Sequence, residues 1–182
     1  ADYKATSVEE SIDGIDFNFS MEGRRVEMHV PILGKHHVTS VLPAVVCGFV
    51  MGMELEEILS AMERYNLPPG RLNLIEGAQE GAVIIDSSYN SSPKSCVEAL
   101  KTLADLKPKT GGKKIAILGN MNELGEKEEV LHKEVGRHIP NSCDILVTVG
   151  KAASYMADSA EENGLKKVFR YKNVSELIDD FN

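Results

Sequence analysis

Apolar and polar residues alternate over Ile15-Asp16-Phe17-Asn18-Phe19 and again over Val26-Glu27-Met28-His29-Val30. Met21-Glu22-Gly23-Arg24 between them is a turn signal, so the spacing predicts a β-hairpin with one wet face. Two strands alone are marginal in water, so the hairpin needs a sheet or a helix to pack on. The run 41–51 is almost wholly apolar and predicts a helix buried on most sides, with Pro43 in its first turn. A second helix begins at Glu54. It has Leu55, Ile58, Leu59 and Met62 at helical spacing and Glu54, Glu56 and Glu57 at its positive end. Asn66-Leu67-Pro68-Pro69-Gly70 then breaks the chain and marks a domain boundary.

From Arg71 onward short apolar runs alternate with helical ones. Strands are predicted at 72–76 and 81–85, joined by a turn at Gly77-Ala78-Gln79-Glu80. Pro93 presets φ for a helix over 94–106, and 107–112 is a loop. Buried strands are predicted at 114–118 and 144–149, and a shorter strand at 167–171. Helices are predicted at 128–139, 151–163 and 174–181, the last with Asn173 or Ser175 near its cap. Such alternation predicts an α/β fold with a parallel sheet and right-handed crossovers. A doubly wound sheet usually continues with a further strand after such a helix, so truncation of the chain is expected.

Composition narrows the function. The 182 residues carry a net charge of −8, which argues against a nonspecific nucleic-acid binder with its basic stripe. No apolar run approaches the ~20 residues that span a bilayer, and the first residues show no signal-peptide pattern. Neither nucleic acid nor membrane is therefore expected as a partner. Cys47, Cys96 and Cys143 are odd in number and far apart, so neither a disulfide framework nor a zinc site is predicted. All three read as small buried hydrophobes, which suits a reducing cytoplasm.

Candidate chemistry sits at strand ends, where open α/β sheets bind ligands. Asp86-Ser87-Ser88-Tyr89-Asn90-Ser91-Ser92-Pro93 follows one strand and offers a carboxylate, hydroxyls, a phenol and an amide. Gly119-Asn120-Met121-Asn122-Glu123-Leu124-Gly125-Glu126 follows another, with Asn120 and Glu123 as candidates to face a ligand. Gly150-Lys151 ends a third. Arg71, just past the proline hinge, suits a phosphate or ribose contact. His36 and His37 do not share a helix face and make a poor metal pair, so no metal site is predicted in this chain. His132 and His138 are expected on one helix and exposed. Neither a G-x-x-x-x-G-K-[ST] loop nor a G-x-G-x-x-G loop occurs. The residues alone thus describe an α/β ligand-binding module without a complete phosphate-transfer site.

Several of these segments resemble the carboxyl-terminal part of the Mur ligase family. They are Gly34-Lys35-His36-His37 opening an apolar helix, Gly70-Arg71-Leu72, Asp86 to Pro93, Leu118-Gly119-Asn120-Met121-Asn122-Glu123-Leu124-Gly125, and His132-Lys133-Glu134-Val135-Gly136. The last two are the most specific, and they point to the branch that adds D-alanyl-D-alanine. The resemblance implies that 1–66 is the tail of a central ATP-binding domain. It makes 67–71 a hinge and 72–182 a Rossmann-like last domain with a mostly parallel sheet. It implies an ATP- and Mg2+-dependent amide-forming ligase of cell-wall synthesis, monomeric and cytoplasmic, acting on a UDP-muramoyl peptide and D-alanyl-D-alanine. The phosphate loop and magnesium ligands would lie upstream, so no catalytic residue is assigned here and the fragment alone is expected to be inactive. His37, Arg71, Asp86, Ser87, Tyr89 and Asn90 would lie on the ATP side, and Asn120 and Glu123 would face the amino-acid substrate. The chain departs from the family's pattern at four places. His37 and Ser40 stand where the family has Asn, Ser87 where it has the second Asp of its loop, and Asn120 where it has Asp. Two other readings stay open: another amino-acid ligase of the same superfamily, and a diverged, noncatalytic nucleotide-binding module.

Overall fold

A computed structural model describes residues 3–21, 23–76, 81–108 and 111–181. The expected turn at 77–80, and Lys109-Thr110 of the expected loop, lie outside the described residues. The chain divides into two compact units, 1–87 and 88–182. The Pro68-Pro69-Gly70 segment lies inside the first unit, and the division falls after it.

In the first unit the predicted hairpin is present as β2 (Gly14–Met21) and β3 (Arg24–Val30), with Phe17 opposite Met28 and Phe19 opposite Val26. A further strand, β1 (Tyr3–Ser11), pairs antiparallel with β2 and was not read from the sequence. Its register shifts between Thr6 and Glu9, and Ser7 there adopts φ 53°. The bulge places the inward residues Ala5 and Val8 three apart instead of two, which erases the period that marks a strand. Ile15, Phe17, Phe19, Met28 and Val30 meet Val38, Val41 and Val45 of α1 (Val38–Val50) and Ile58 of α2 (Leu55–Glu63). The hairpin thus finds both the sheet and the helices that it needs.

Two expectations about α1 are corrected. It begins at Val38, so Pro43 lies inside the helix instead of in its first turn. Only Val38, Val41 and Val45 are fully buried, while Val50 is 77% exposed. Cys47 is exposed with it, and only Cys96 and Cys143 are buried. An all-apolar run carries no marker of which face meets the sheet. By contrast α2 starts where the acidic pattern placed it: Glu57 Oε2 accepts the Glu54 N–H at 2.9 Å. β4 (Asn73–Glu76) and β5 (Val83–Asp86) form a separate antiparallel pair with Asn73 opposite Asp86.

The second unit is the α/β part. Its parallel sheet has the order β6 (Ile115–Gly119), β7 (Ile145–Val149), β8 (Val168–Tyr171). Ile117, Val147 and Phe169 stand side by side across it. Around the sheet are α3 (Pro93–Asp105), α4 (Glu128–Gly136), α5 (Ala153–Glu162) and α6 (Val174–Phe181). The core joins Leu100, Ala116, Met121, Val135, Leu146 and Met156. β6 is not buried on both faces as expected: Ala116 faces the core, whereas Ile115 and Ile117 are 50% and 59% exposed. α4 ends at Gly136 and a separate single turn spans Ile139–Asn141, so His132 and His138 do not share a helix. Gly136 lets α4 approach α5: a Cβ there would lie 2.6 Å from Met156 O and Ser159 Cβ.

Candidate functional site

In the first unit Gly34 bends the chain at φ 96°, its N–H donating to Glu10 Oε1 at 2.6 Å. A Cβ on Gly34 would lie 2.6 Å from His36 Cε1, so the histidine pair packs over a position that suits glycine. The single turn Lys35–His37 then leads straight into α1, with the His36 and His37 rings 4.2 Å apart. His37 sits half-buried with Ile32, Ser40, Val41, Met62 and Tyr65 around a dimple of about 80 Å³. That volume is a side-chain gap and is far too small to enclose a nucleotide. Burial first, then the neighbouring His36 and Arg71 charges, lower the His37 pKa to about 4. A neutral imidazole therefore lies within electrostatic reach of a permanent guanidinium at pH 7.

The backbone around Arg71 is tightly specified. Gly70 and Leu72 on either side have φ 75° and 58°. A left-handed leucine is strained, and burial holds this one in place. Asn73 closes the turn from both sides: its Oδ1 accepts the Arg71 N–H at 2.9 Å and its Nδ2 donates to Leu67 O at 3.1 Å. Its partner across the strand pair is Asp86, followed by Ser87. Asn73 was not singled out in the sequence. Its only local signal is an Asn two residues beyond an arginine in a Pro-Gly turn.

In the second unit Tyr89 is exposed, and Asn90 Oδ1 accepts the Ser91 N–H at 2.9 Å. This loop runs into the capping box of α3. Ser92 Oγ accepts the Ser95 N–H at 3.2 Å, and Ser95 Oγ accepts the Ser92 N–H at 2.8 Å. Pro93 takes the first helical position, as expected.

At the end of β6, Asn120 turns toward α5, and its Oδ1 accepts the Ala153 N–H at 2.8 Å. Gly150, at φ 112°, makes room for it, because a Cβ there would collide with the Asn120 side chain. The ends of β6 and β7 are thus joined at one rim. Met121 is fully buried, while Asn122 and Glu123 are exposed, Glu123 at φ 63°. His132 is also fully buried, against the expectation of exposure. Its Nε2 accepts the Met121 N–H at 3.0 Å, and its Nδ1 lies 2.7 Å from Glu128 O. The expectation failed because helical spacing alone does not show that a loop folds back over this face. His138 is exposed.

The structure therefore brings His37 and Arg71 together in one unit, with Asp86 opposite Asn73, and ties Asn120 to α5 in the other. Among the described residues no three His, Cys, Asp or Glu side chains are grouped so as to hold a metal ion. No helix of the described residues is long and apolar enough to cross a membrane.

Comparison with known proteins matches residues 70–181 to the family described as Mur ligase, glutamate ligase domain. The UDP-N-acetylmuramoyl-tripeptide--D-alanyl-D-alanine ligase of Bacillus subtilis is 33% identical over 97% of the chain and 38% of its own length. The ligase of the same name from Escherichia coli is 28% identical over 83% of the chain and 32% of its own length. The crystal structure of MurF from Acinetobacter baumannii superposes with a TM-score of 0.83 at 26% identity, covering 99% of this chain and 38% of that one. The chain thus spans between 32% and 38% of the length of these relatives.

Proposed function

Because the chain belongs to the Mur ligase family through its glutamate ligase domain, we propose that it is the closing, carboxyl-terminal part of a D-alanyl-D-alanine-adding ligase. The full-length enzyme would join the dipeptide to a UDP-linked muramoyl tripeptide, the reaction named for the Bacillus subtilis and Escherichia coli relatives. ATP would convert the tripeptide carboxylate to an acyl phosphate with release of ADP. The dipeptide amine would then attack that carbonyl and expel phosphate. In this reading 67–71 is the hinge between the central domain's tail and the closing domain. Magnesium would be held mainly by residues upstream of this chain. The enzyme works as a monomer in the reducing cytoplasm.

What supports the nucleotide side is an Arg71 guanidinium within electrostatic reach of His37, at the point where the matched domain begins. Arg71 would grip an ATP phosphate with its planar fork. His37 would offer a flat neutral ring, and Asp86, with Ser87, would accept from the ribose hydroxyls. In the second unit, Tyr89 and Asn90 of the loop before α3 would offer a phenol and an amide to the nucleotide. Asn120 and Glu123 would border the amine. Closing over the acyl phosphate would keep water from hydrolysing it.

Arg71→Ala in the full-length protein tests this reading. Loss of a charge-assisted phosphate contact is expected to raise the KM for ATP by about tenfold or more. An unchanged KM would reduce Arg71 to a surface residue. The wild-type protein is expected to form ADP when given UDP-muramoyl tripeptide, D-alanyl-D-alanine and ATP. If it forms none, the noncatalytic reading, which the uncharged Ser87 favours, takes its place.

A further inference from the structure

The loop of residues 119–125 is pinned at two successive residues and exposed at the next two. Asn120 is tied to α5 through Ala153 N–H at 2.8 Å, and Met121 is tied to α4 through His132 Nε2 at 3.0 Å. The Met121 side chain is buried in the core, so the loop is anchored there by both backbone and side chain. Asn122 and Glu123 then emerge into solvent, Glu123 in a left-handed conformation at φ 63°. Such a conformation costs a non-glycine residue about 1 kcal/mol or more and persists only where the surroundings hold it.

The chemistry of the His132 ring is set by its two partners. A backbone N–H can only donate and a carbonyl can only accept. Nε2 therefore offers its lone pair to Met121, and Nδ1 donates to the Glu128 carbonyl at 2.7 Å. The ring is edge-on to Tyr155 of α5, centroids 6.5 Å apart, which fixes its plane. Only an acceptor on the far side of the ring gives the Met121 N–H a partner.

We infer that His132 is a positioning residue of the ligase: acting through the Met121 backbone, it sets the place from which Glu123 meets the incoming amine. The inference rests on the reading above that this loop borders the amine site. His132 lies beneath the loop in the core and does not touch substrate.

Three variants of the full-length enzyme separate this role from simple packing. His132→Gln can place an amide oxygen near the Nε2 position, His132→Asn reaches only the Nδ1 position, and His132→Leu reaches neither. His132→Gln is expected to keep the KM for D-alanyl-D-alanine within about threefold of wild type, while His132→Asn and His132→Leu raise it about tenfold or more, with the KM for ATP unchanged. Hydrogen exchange at the Met121 amide supplies a second readout, independent of turnover. It is expected to stay slow in wild type and His132→Gln and to become fast in His132→Asn. An active wild type whose amine KM does not move in any variant would overturn the inference. So would equal rises in both KM values with no rescue by glutamine, or Met121 exchange in His132→Asn as slow as in wild type. A wild type that makes no ADP from these substrates would instead overturn the functional reading, whatever Met121 does.

Discussion

Asn120 caps a helix that lies 33 residues further along the chain: its Oδ1 accepts the N–H of Ala153, the first residue of α5. α5 has Ala152 at its own cap position and receives no cap from it, so a distant side chain satisfies one of its orphan donors. Asn120→Ala is expected to lower stability by about 1 kcal/mol, within the range for lost caps. Asn120→Asp should keep the acceptor, add a favourable charge at the helix start, and be neutral or slightly stabilising. Gly150→Ala should cost more, about 2 kcal/mol, because it combines a disfavoured φ with a collision against Asn120. Urea unfolding followed by circular dichroism ranks the three. An Asn120→Ala protein as stable as wild type would remove the cap.

His37 makes the first unit sensitive to mild acid. Its folded pKa is lowered to about 4 from the ordinary 6.5, chiefly by burial. Above pH 6.5 the ring is neutral in both states and contributes no pH dependence. Between about 6.5 and 4 the unfolded chain binds a proton that the folded chain refuses, so stability falls as pH falls through that window. Allowing for solvent screening of a half-buried ring, the loss at pH 4 relative to pH 7 is about 1–2 kcal/mol. His37→Asn removes the titration without removing a polar side chain. The difference in unfolding free energy between the two proteins should therefore grow in favour of the variant as pH drops from 7 to 4. A constant difference would contradict the proton linkage.

The three thiols should divide one to two. Cys47 is exposed on α1, whereas Cys96 and Cys143 are buried. Burial also pushes the Cys96 thiol up to about 11 and raises that of Cys143, so neither forms a reactive thiolate readily. With a maleimide near pH 8, one label should be taken up quickly by the folded protein and the remaining two only on unfolding. Mass spectrometry assigns the fast site, and rapid labelling at Cys143 would show that the second core is open.

Ser92 caps α3 immediately before Pro93, in a reciprocal pair with Ser95. Ser92→Ala is expected to cost about 1 kcal/mol, and Ser92→Asp to recover most of it. The same variants assayed in the full-length protein show whether the loop of Tyr89 and Asn90 depends on that cap. A rise in the KM for ATP in Ser92→Ala but not in Ser92→Asp would tie the two together.

Much of the molecule was legible locally. The β2–β3 alternation, the Glu54 helix start, Pro93 at the head of α3 and Asn173 at the head of α6 all appear where residue type and spacing put them. The parallel sheet followed from strand–helix alternation, and the family from the motifs around Arg71, Tyr89 and Glu123. Each is a short-range signal: a period of two or 3.6, a fixed φ, or an oxygen within reach of the next turn's amide.

Folding settled what such signals leave open. β1 stayed hidden because one bulge breaks its period. Cys47 and His132 changed places, one expected buried and found exposed, the other the reverse. Each lies on a helix whose buried face depends on what packs against it, and neither sheet nor loop announces that in the helix's own residues. The Asn120–Ala153 and Met121–His132 bonds join segments that only the folded chain brings together. Periodicity and capping act within a few residues, so residue order alone marked most of the elements, and its motifs the family. Which side chain of each element meets a neighbour is a matter of long-range packing, and that alone determined the faces of the helices and the shape of the site.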